Sequence, residues 1–358
     1  MKIFIWALTI TACFSAMSNY ATDDQNFSLF QNKNILVIGG TGYLGRAITA
    51  ELLKYNPHKI TIFSRDEVKH FNVTRTFNNN PKVVTLLGDI RDYHNVLKAT
   101  KDMDIVFHVA ALKRIESVEH NVEEGIKTNI IGSLNVYNAC LENKVKKVLF
   151  MSTDKACWPI NAYGASKFVS EKIFTNHVSN GNDTIFVVAR FGNILESTGS
   201  VIPLFTDKIL KGEDLTLTDE HMTRFIITKE EAVKTLFSAL QYGIGGEIFV
   251  TQLPALKVTD LIEILKEKHN AQNPVKLIGL RPGEKIHETL INESEVARTY
   301  EYKGYYIIRP TIASTQPDPE YVVHGRKLSK EEMNDYTSGN EIISKKDLLL
   351  FFNSVGVL

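Results

Sequence analysis

Residues 34 to 39, Asn-Ile-Leu-Val-Ile-Gly, form an apolar run of strand length. It passes without a break into Gly39-Gly-Thr-Gly-Tyr-Leu-Gly45, and a helical stretch follows from Arg46 to about Tyr55. Such a passage restricts the chain to a buried strand, a tight turn and a helix packed back on that strand. The spacing Gly39, Gly42, Gly45 is the G-x-x-G-x-x-G form of a dinucleotide-binding turn. One glycine permits the turn, another lets the backbone approach a pyrophosphate, and the helix N-terminus favours the anion.

The pattern then repeats. Lys59–Phe63, Val83–Leu87, Asp104–Val109, Lys147–Ser152 and Thr184–Arg190 are further apolar runs of strand length. Between the fourth and fifth strands of the series, Asn121 to Asn143 carries helical periodicity through Ile126, Ile130, Leu134, Val136 and Tyr137. Strands alternating with helices imply parallel pairing and right-handed crossovers. After Arg190 the pattern becomes irregular: Leu215–Thr218 and Gly246–Val250 are strand-like, Lys229–Tyr242 and Val258–Lys268 helical, and Leu280–Lys285 is a polar loop. The expectation is an α/β protein, a Rossmann-type doubly wound parallel sheet with a smaller C-terminal substrate-binding lobe. Residues 1–32 are set apart as an N-terminal hydrophobic extension or signal-like segment. Residues 33–192 form the core, and 193–358 mainly the lobe, with some segments returning to the core.

Strand ends in such sheets face the ligand crevice. After the second strand stands Ser64-Arg65-Asp66-Glu67. A guanidinium there suits a 2′-phosphate, so NADP is expected over NAD. Asp89, after the third strand, is placed to accept from an adenine amino group. Lys113, after the fourth, is placed to meet a phosphate or sugar oxygen. His108 lies within an apolar run and is read as a hydrogen-bonded core histidine.

The fifth strand leads into Met151-Ser-Thr-Asp-Lys-Ala-Cys-Trp-Pro-Ile-Asn-Ala-Tyr-Gly-Ala-Ser-Lys167. Pro159 and Asn161 punctuate a loop, and the helix beyond carries Tyr163 and Lys167 on one face. A lysine ammonium beside a phenol lowers the phenol's pKa, which makes it a base for a sugar hydroxyl. Thr153, Asp154 and Lys155 add a hydroxyl, a carboxylate and an amine at the same strand end.

Lysine and arginine number 41 against 41 acidic residues, so no basic field points to nucleic acid. Cys13, Cys140 and Cys157 lack metal or disulfide spacing, which suits a reducing compartment, and the cytoplasm is the expected location. Lys2 precedes an apolar run, Ile3 to Cys13, that is short for a membrane span. It fits the apolar part of a secretion signal, a plain hydrophobic extension, or a start codon set too early.

These residues resemble the extended short-chain dehydrogenase/reductase family, and within it the UDP-N-acetylglucosamine 4,6-dehydratases of the inverting type. The likeness is carried by Gly39–Gly45, Ser64-Arg-Asp-Glu67, Ala110-Ala-Leu-Lys113, Ser152-Thr-Asp-Lys-Ala156 with Tyr163 and Lys167, and Arg281-Pro-Gly-Glu-Lys285. Met222-Thr-Arg-Phe225 and Gly199-Ser-Val-Ile-Pro203 agree as well. Residues 109 to 117 and Glu196-Ser-Thr-Gly199 depart from the family's usual pattern.

The resemblance implies that Tyr163, helped by Lys167, takes the C4 hydroxyl proton while C4 is oxidised by NADP+. Lys155, held partly neutral by burial, takes the C5 proton. Asp154 protonates the departing C6 hydroxyl, and Thr153 hydrogen-bonds the sugar. Implied cofactor contacts are Gly39, Thr41, Gly42, Tyr43, Leu44, Gly45, Ser64, Arg65, Asp66, Asp89, Ile90, Ala110, Lys113, Tyr163, Lys167 and Ile194. Implied substrate contacts are Lys113, Thr153, Asn193, Arg224, Arg281 and Glu284, with no metal. The expected substrate is UDP-N-acetylglucosamine or a related UDP-sugar, and the expected assembly a homo-oligomer. Two rivals stand beside this hydro-lyase reading: a UDP-sugar 4-epimerase, which needs Tyr163 and Lys167 but not Asp154 and Lys155, and a non-catalytic nucleotide-binding protein.

Overall fold

The computed structural model describes residues 27–176, 184–197, 200–312 and 318–357. The apolar run Ile3–Cys13 lies outside them, and so does Gly199 of the Gly199–Pro203 block. The first half alternates as expected: β1 (Asn34–Ile38), α1 (Tyr43–Leu53), β2 (Lys59–Ser64), α2 (Glu67–Thr76), β3 (Val83–Leu87), α3 (Tyr93–Thr100) and β4 (Ile105–His108). Then come α4 (Ile115–His120), α5 (Val122–Gly125), a π-helical stretch Ile126–Ile131, α6 (Gly132–Glu142), β5 (Lys147–Met151), α7 (Ala162–Thr175) and β6 (Ile185–Arg190).

The second half brings β7 (Asn193–Ile194), α8 (Val201–Lys211), β8 (Leu215–Leu217), β9 (Thr223–Ile227), α9 (Lys229–Tyr242), β10 (Ile248–Thr251), β11 (Ala255–Lys257) and α10 (Val258–Lys268). It ends with β12 (Val275–Leu277), β13 (Thr289–Ile291), α11 (Glu293–Val296), β14 (Thr299–Tyr302), β15 (Tyr305–Ile308), α12 (Glu320–Val323), β16 (Arg326–Lys327), β17 (Tyr336–Thr337) and α13 (Lys345–Ser354).

The main sheet runs β16-β14-β15-β10-β6-β5-β4-β1-β2-β3, parallel from β10 to β3 and antiparallel beyond β10. The α/β, doubly wound expectation is therefore met. The order reverses between β1 and β4, which pair from Ile35↔Ile105 to Ile38↔His108. That reversal opens a crevice at the carboxyl ends of the two strands. The antiparallel addition was not anticipated. Its β14–β15 hairpin turns on Lys303 and Gly304, both at positive φ (47° and 80°), the geometry that joins strands through two residues.

Two apolar cores lie on the sheet and beyond it. The larger one includes Ile35–Ile38, Val106, Phe107, Leu149, Val187 and Phe249. A second one, built on Leu195, Phe205, Leu217, Leu261, Leu265 and Phe352, ties α8, β8, α10 and α13 together. Phe27 and Phe30 are buried against Phe237 in the larger core, so the packed unit begins before Lys33, the first residue the sequence reading gave it.

Three local differences have physical causes. Helix α1 starts at Tyr43 rather than Arg46, with Gly45 inside its first turn, where a Cβ would lie 2.5 Å from Gly40 Cα. Helix α2 was not foreseen, since Val68 and Phe71 face solvent and Val73 alone of its apolar residues is buried, which leaves no apolar stripe. The single helix expected over Asn121–Asn143 is interrupted. A π-helical stretch carries the buried Asn129, whose amide accepts from Leu112 N–H (2.8 Å) and donates to Leu112 C=O (3.0 Å) and Ser166 Oγ (2.9 Å). The irregular turn serves the loop after β4, a common use of π-helical turns. Among the described residues no helix is long and apolar enough to cross a membrane.

Candidate active site

The glycine turn fills the crevice at the end of β1. Gly39 sits at φ +85°, and a Cβ there would lie 2.8 Å from Ala110 N, so the turn and the loop after β4 touch backbone to backbone. Gly42 caps α1 with no side chain of its own. A bare turn beneath a helix N-terminus fits a dinucleotide diphosphate. Thr41 Oγ1 donates to Ser64 Oγ (3.1 Å), which also meets His70 Nε2 (2.9 Å). Leu44 and Ile90 are buried in the core beside this turn. Tyr43 and Ala110 pack on that core, partly buried.

Two acids counted toward the cofactor are otherwise engaged. Asp66 caps α2, accepting from Lys69 N–H (2.9 Å) and pairing with Lys69 Nζ (3.1 Å). Asp89 accepts from Arg91 N–H (3.0 Å) and from its guanidinium (2.9 and 2.6 Å). Burial raises the Asp89 pKa, but Arg91 outweighs it and holds the carboxyl below its ordinary value. Arg65 stands half-exposed 3.8 Å from Asp89, and Lys113 is exposed.

The loop after β5 is pinned to β6 by Ser152 N–H to Ala189 C=O (2.7 Å) and Asp154 N–H to Phe191 C=O (2.8 Å). Asp154 is wholly buried, accepting from Thr153 Oγ1 (2.8 Å) and from Lys155 Nζ (2.9 and 3.1 Å). Lys155 Nζ also donates to Asn193 Oδ1 (3.2 Å) and lies 3.4 Å from Glu288 Oε1. Asn161 caps α7 through Gly164 N–H (2.6 Å) and donates to Gly283 C=O (2.8 Å), while Lys285 Nζ donates to Cys157 C=O (2.7 Å). The Arg281–Lys285 loop is thus docked on the loop that carries Asp154 and Lys155. Tyr163 and Lys167, one turn apart on α7, are both buried.

Charge states correct two expectations. Burial alone would lower the Lys155 pKa, but Asp154 and then Glu288 reverse this and carry it well above its ordinary value. Lys155 therefore rests as an ammonium, not partly neutral. Burial also pushes the Tyr163 phenol up, to about 12, against Lys155 and a hydrogen bond with Thr153, which pull it down. The cation acting on the phenol is Lys155. Lys167 instead donates to Met151 C=O (2.6 Å) and lies over the Phe150 ring (3.9 Å), and burial takes its amine down to about 7. His108 is the core histidine expected: it meets Ser133 Oγ at 3.0 Å, and burial takes it to about 3.

Arg224 is nearly buried, donating to Thr223 C=O (2.7 Å) and Ile286 C=O (3.1 Å), with Glu284 at 3.6 Å and Glu288 at 4.0 Å. Arg281 lies apart from it, exposed and paired with Glu116 at 3.1 Å. Ile194 is buried at the end of β7. The sequence reading missed Glu288, Asn129 and the charges behind the loop. There Arg190, itself buried, holds Glu171 (3.0 and 2.7 Å) and Glu295 (2.9 and 3.0 Å) and donates to Leu290 C=O (2.6 Å). Ser152 Oγ donates to Glu171. Arg190 is 19 residues from Glu171 and 105 from Glu295, so no local motif could have revealed the cluster.

The reversed parallel order, the glycine turn at the reversal and the buried Tyr163–Lys167 helix define an extended short-chain dehydrogenase/reductase. The chain belongs to the family described as polysaccharide biosynthesis protein, whose model matches residues 35–310. It is 41% identical over 334 residues to a UDP-N-acetylglucosamine 4,6-dehydratase (inverting) of Campylobacter jejuni, covering 91% of this chain and 98% of that protein. It is 40% identical over 332 residues to a protein of Rickettsia bellii named UDP-glucose 4-epimerase, covering 90% of this chain and 96% of the other. The X-ray structure of Pen from Bacillus thuringiensis superposes with a TM-score of 0.85 at 36% identity, covering 92% of this chain and 99% of that one.

Proposed function

We propose that the protein is an NADP-dependent UDP-N-acetylglucosamine 4,6-dehydratase that inverts C5. The observation carrying this reading is the buried Lys155–Asp154 pair at 2.9 Å, on the loop that ends beside Tyr163. A 4-epimerase has no use for that pair, because it moves no proton at C5 and expels nothing at C6. The Campylobacter jejuni relative, matched over nearly its whole length, supports the same choice. A non-catalytic nucleotide-binding protein would have no reason to bury an acid and a base at a strand end.

The chemistry needs an acid and a base, and the resting pair is a carboxylate and an ammonium. One proton passing from Lys155 to Asp154 turns it into both: an amine to take the C5 proton and a carboxylic acid to protonate the leaving C6 hydroxyl. Tyr163 takes the C4 hydroxyl proton, its phenolate favoured by the nearby ammonium and by Thr153. A bound nicotinamide dinucleotide supplies the oxidation at C4 and the matching reduction at C6. The glycine turn and the N-terminus of α1 would hold its diphosphate, and Ser64 and Arg65 its 2′-phosphate. Arg224 and Asn193 would meet the sugar nucleotide. The same reading has the chain work in the cytoplasm as an assembly of identical subunits, feeding polysaccharide or glycan synthesis.

Incubation with UDP-N-acetylglucosamine in heavy water should give a 6-deoxy-4-keto sugar nucleotide with inverted C5 and deuterium at C5, read by NMR. A product that keeps its C6 hydroxyl and differs only at C4 would make the protein an epimerase. The cofactor preference has its own test. Arg65→Ala removes a charged donor worth about 1.5–3 kcal/mol, so NADP+ affinity should fall about tenfold or more while NAD+ affinity holds. Calorimetry with the two dinucleotides reads the ratio; an unchanged ratio would remove Arg65 from the 2′-phosphate site, and a wild type that binds NAD+ more tightly would overturn the NADP preference.

A further inference from the structure

Glu288 stands immediately before β13 and is buried, with 3% of its surface exposed. Ser338 fixes its main chain on both sides: Glu288 N–H donates to Ser338 Oγ (2.9 Å), and Ser338 N–H donates to Glu288 C=O (2.8 Å). The carboxylate is held by this backbone rather than by a lattice of its own hydrogen bonds. Oε1 lies 3.4 Å from Lys155 Nζ and 4.0 Å from Arg224 Nε; Oε2 lies 4.0 Å from Lys285 Nζ and accepts no hydrogen bond. Leaving a buried carboxylate so poorly bonded is costly, which calls for a use.

The charged and titratable groups around Lys155 come from four elements. Asp154 is beside it on the same loop, Glu288 comes from the start of β13, Arg224 from β9 and Tyr163 from α7. With Asp154 alone, Lys155 would be half of a neutral pair. Glu288 adds a second anion, so the cluster holds its shared proton more tightly.

We infer that Glu288 is a positioning residue that orients the Lys155 amine and sets the proton affinity of the Lys155–Asp154 pair, an inference that rests on the dehydratase reading. Lys155 stays bonded toward Asp154 and Asn193 on one side and drawn to Glu288 on the other, so its proton is retained for Asp154 rather than lost to solvent. A pair that kept its proton too weakly would enter turnover with a base and no acid.

The test is the pH dependence of kcat for dehydration of UDP-N-acetylglucosamine by wild type, Glu288→Gln and Glu288→Asp, with NADP+ affinity measured in parallel. Removing a neighbouring anion lowers the proton affinity of both members of the pair. Whichever limb of the profile is in range should therefore move to lower pH, by about one unit in Glu288→Gln. Glu288→Asp draws the carboxylate back by one methylene and should move the limb the same way by less, which keeps the test open if the glutamine variant does not fold. A role in packing alone would scale kcat and leave the limbs in place; unmoved limbs in folded variants with normal NADP+ affinity overturn the inference. A wild type that forms no 6-deoxy product would instead overturn the dehydratase reading, so the two failures are told apart.

Discussion

Lys155→Ala is expected to lower dehydration by about a thousandfold or more, within the range that loss of a positioned acid–base group produces. The size follows from what the side chain supplies twice. As an amine it removes the C5 proton, and as an ammonium it is the source of the proton that Asp154 delivers at C6. Entry of deuterium from heavy water at C5 of recovered substrate should slow by a similar factor, and product should form at the same reduced rate. NADP+ affinity should hold, because Lys155 lies on the loop after β5, away from the glycine turn after β1. The variant also strands Asp154 as a buried anion without its cation and leaves Glu288 to Arg224 and Lys285, each at 4.0 Å, so some stability is lost. Measuring cofactor binding and thermal unfolding beside turnover separates the two effects. Undiminished C5 exchange in a folded, cofactor-binding variant would remove Lys155 from the role of base.

What the sequence discloses here depends on the range of the interaction. Strands β1, β2, β4, β5 and β6 are legible because a parallel strand covered on both faces is a continuous apolar run; β3, at the sheet edge with Val84 and Leu87 exposed, shows the same run without that cover. The glycine turn and the Tyr163–Lys167 helix are legible because their geometry is local. Helix α2 escapes because Val68 and Phe71 point outward, and the β14–β15 hairpin because its turn is Lys-Gly rather than the more telling Asn-Gly. The charge on Lys155 escapes for a deeper reason. Burial, which the sequence suggests, argues for a neutral amine; Asp154 next door does most to reverse it, and Glu288, which adds to it, arrives from far along the chain and resembles any other acidic residue. Lys167 is the converse case. Spacing puts it one turn from Tyr163, yet its amine is committed to Met151 C=O and the Phe150 ring.

Arg190→Met is expected to be the most destabilising single change in the molecule, by about 3–5 kcal/mol, the usual result of removing one partner from a buried ion pair. Arg190 ends β6 and joins Glu171 of α7 to Glu295 of α11, so it ties the sheet, the helix of Tyr163 and the C-terminal segment together directly behind the active loop. Methionine fills much of the volume but leaves two carboxylates in an apolar setting. The pH dependence identifies the cause. In the wild type, burial raises the Glu295 pKa but Arg190 outweighs it and holds it below its ordinary value. That stabilisation is present above the unfolded-state pKa and is lost as pH falls through the folded one. In the variant, burial of Glu295 is opposed by the Asn292 N–H and Arg298 but no longer by Arg190, so its folded pKa rises and protonation costs the folded state less than in the wild type. The deficit against wild type should therefore shrink between about pH 7.5 and about pH 5. Urea unfolding of both proteins at the two pH values measures it. A deficit that is constant or grows toward acid would mean that lost packing, not stranded charge, accounts for the effect.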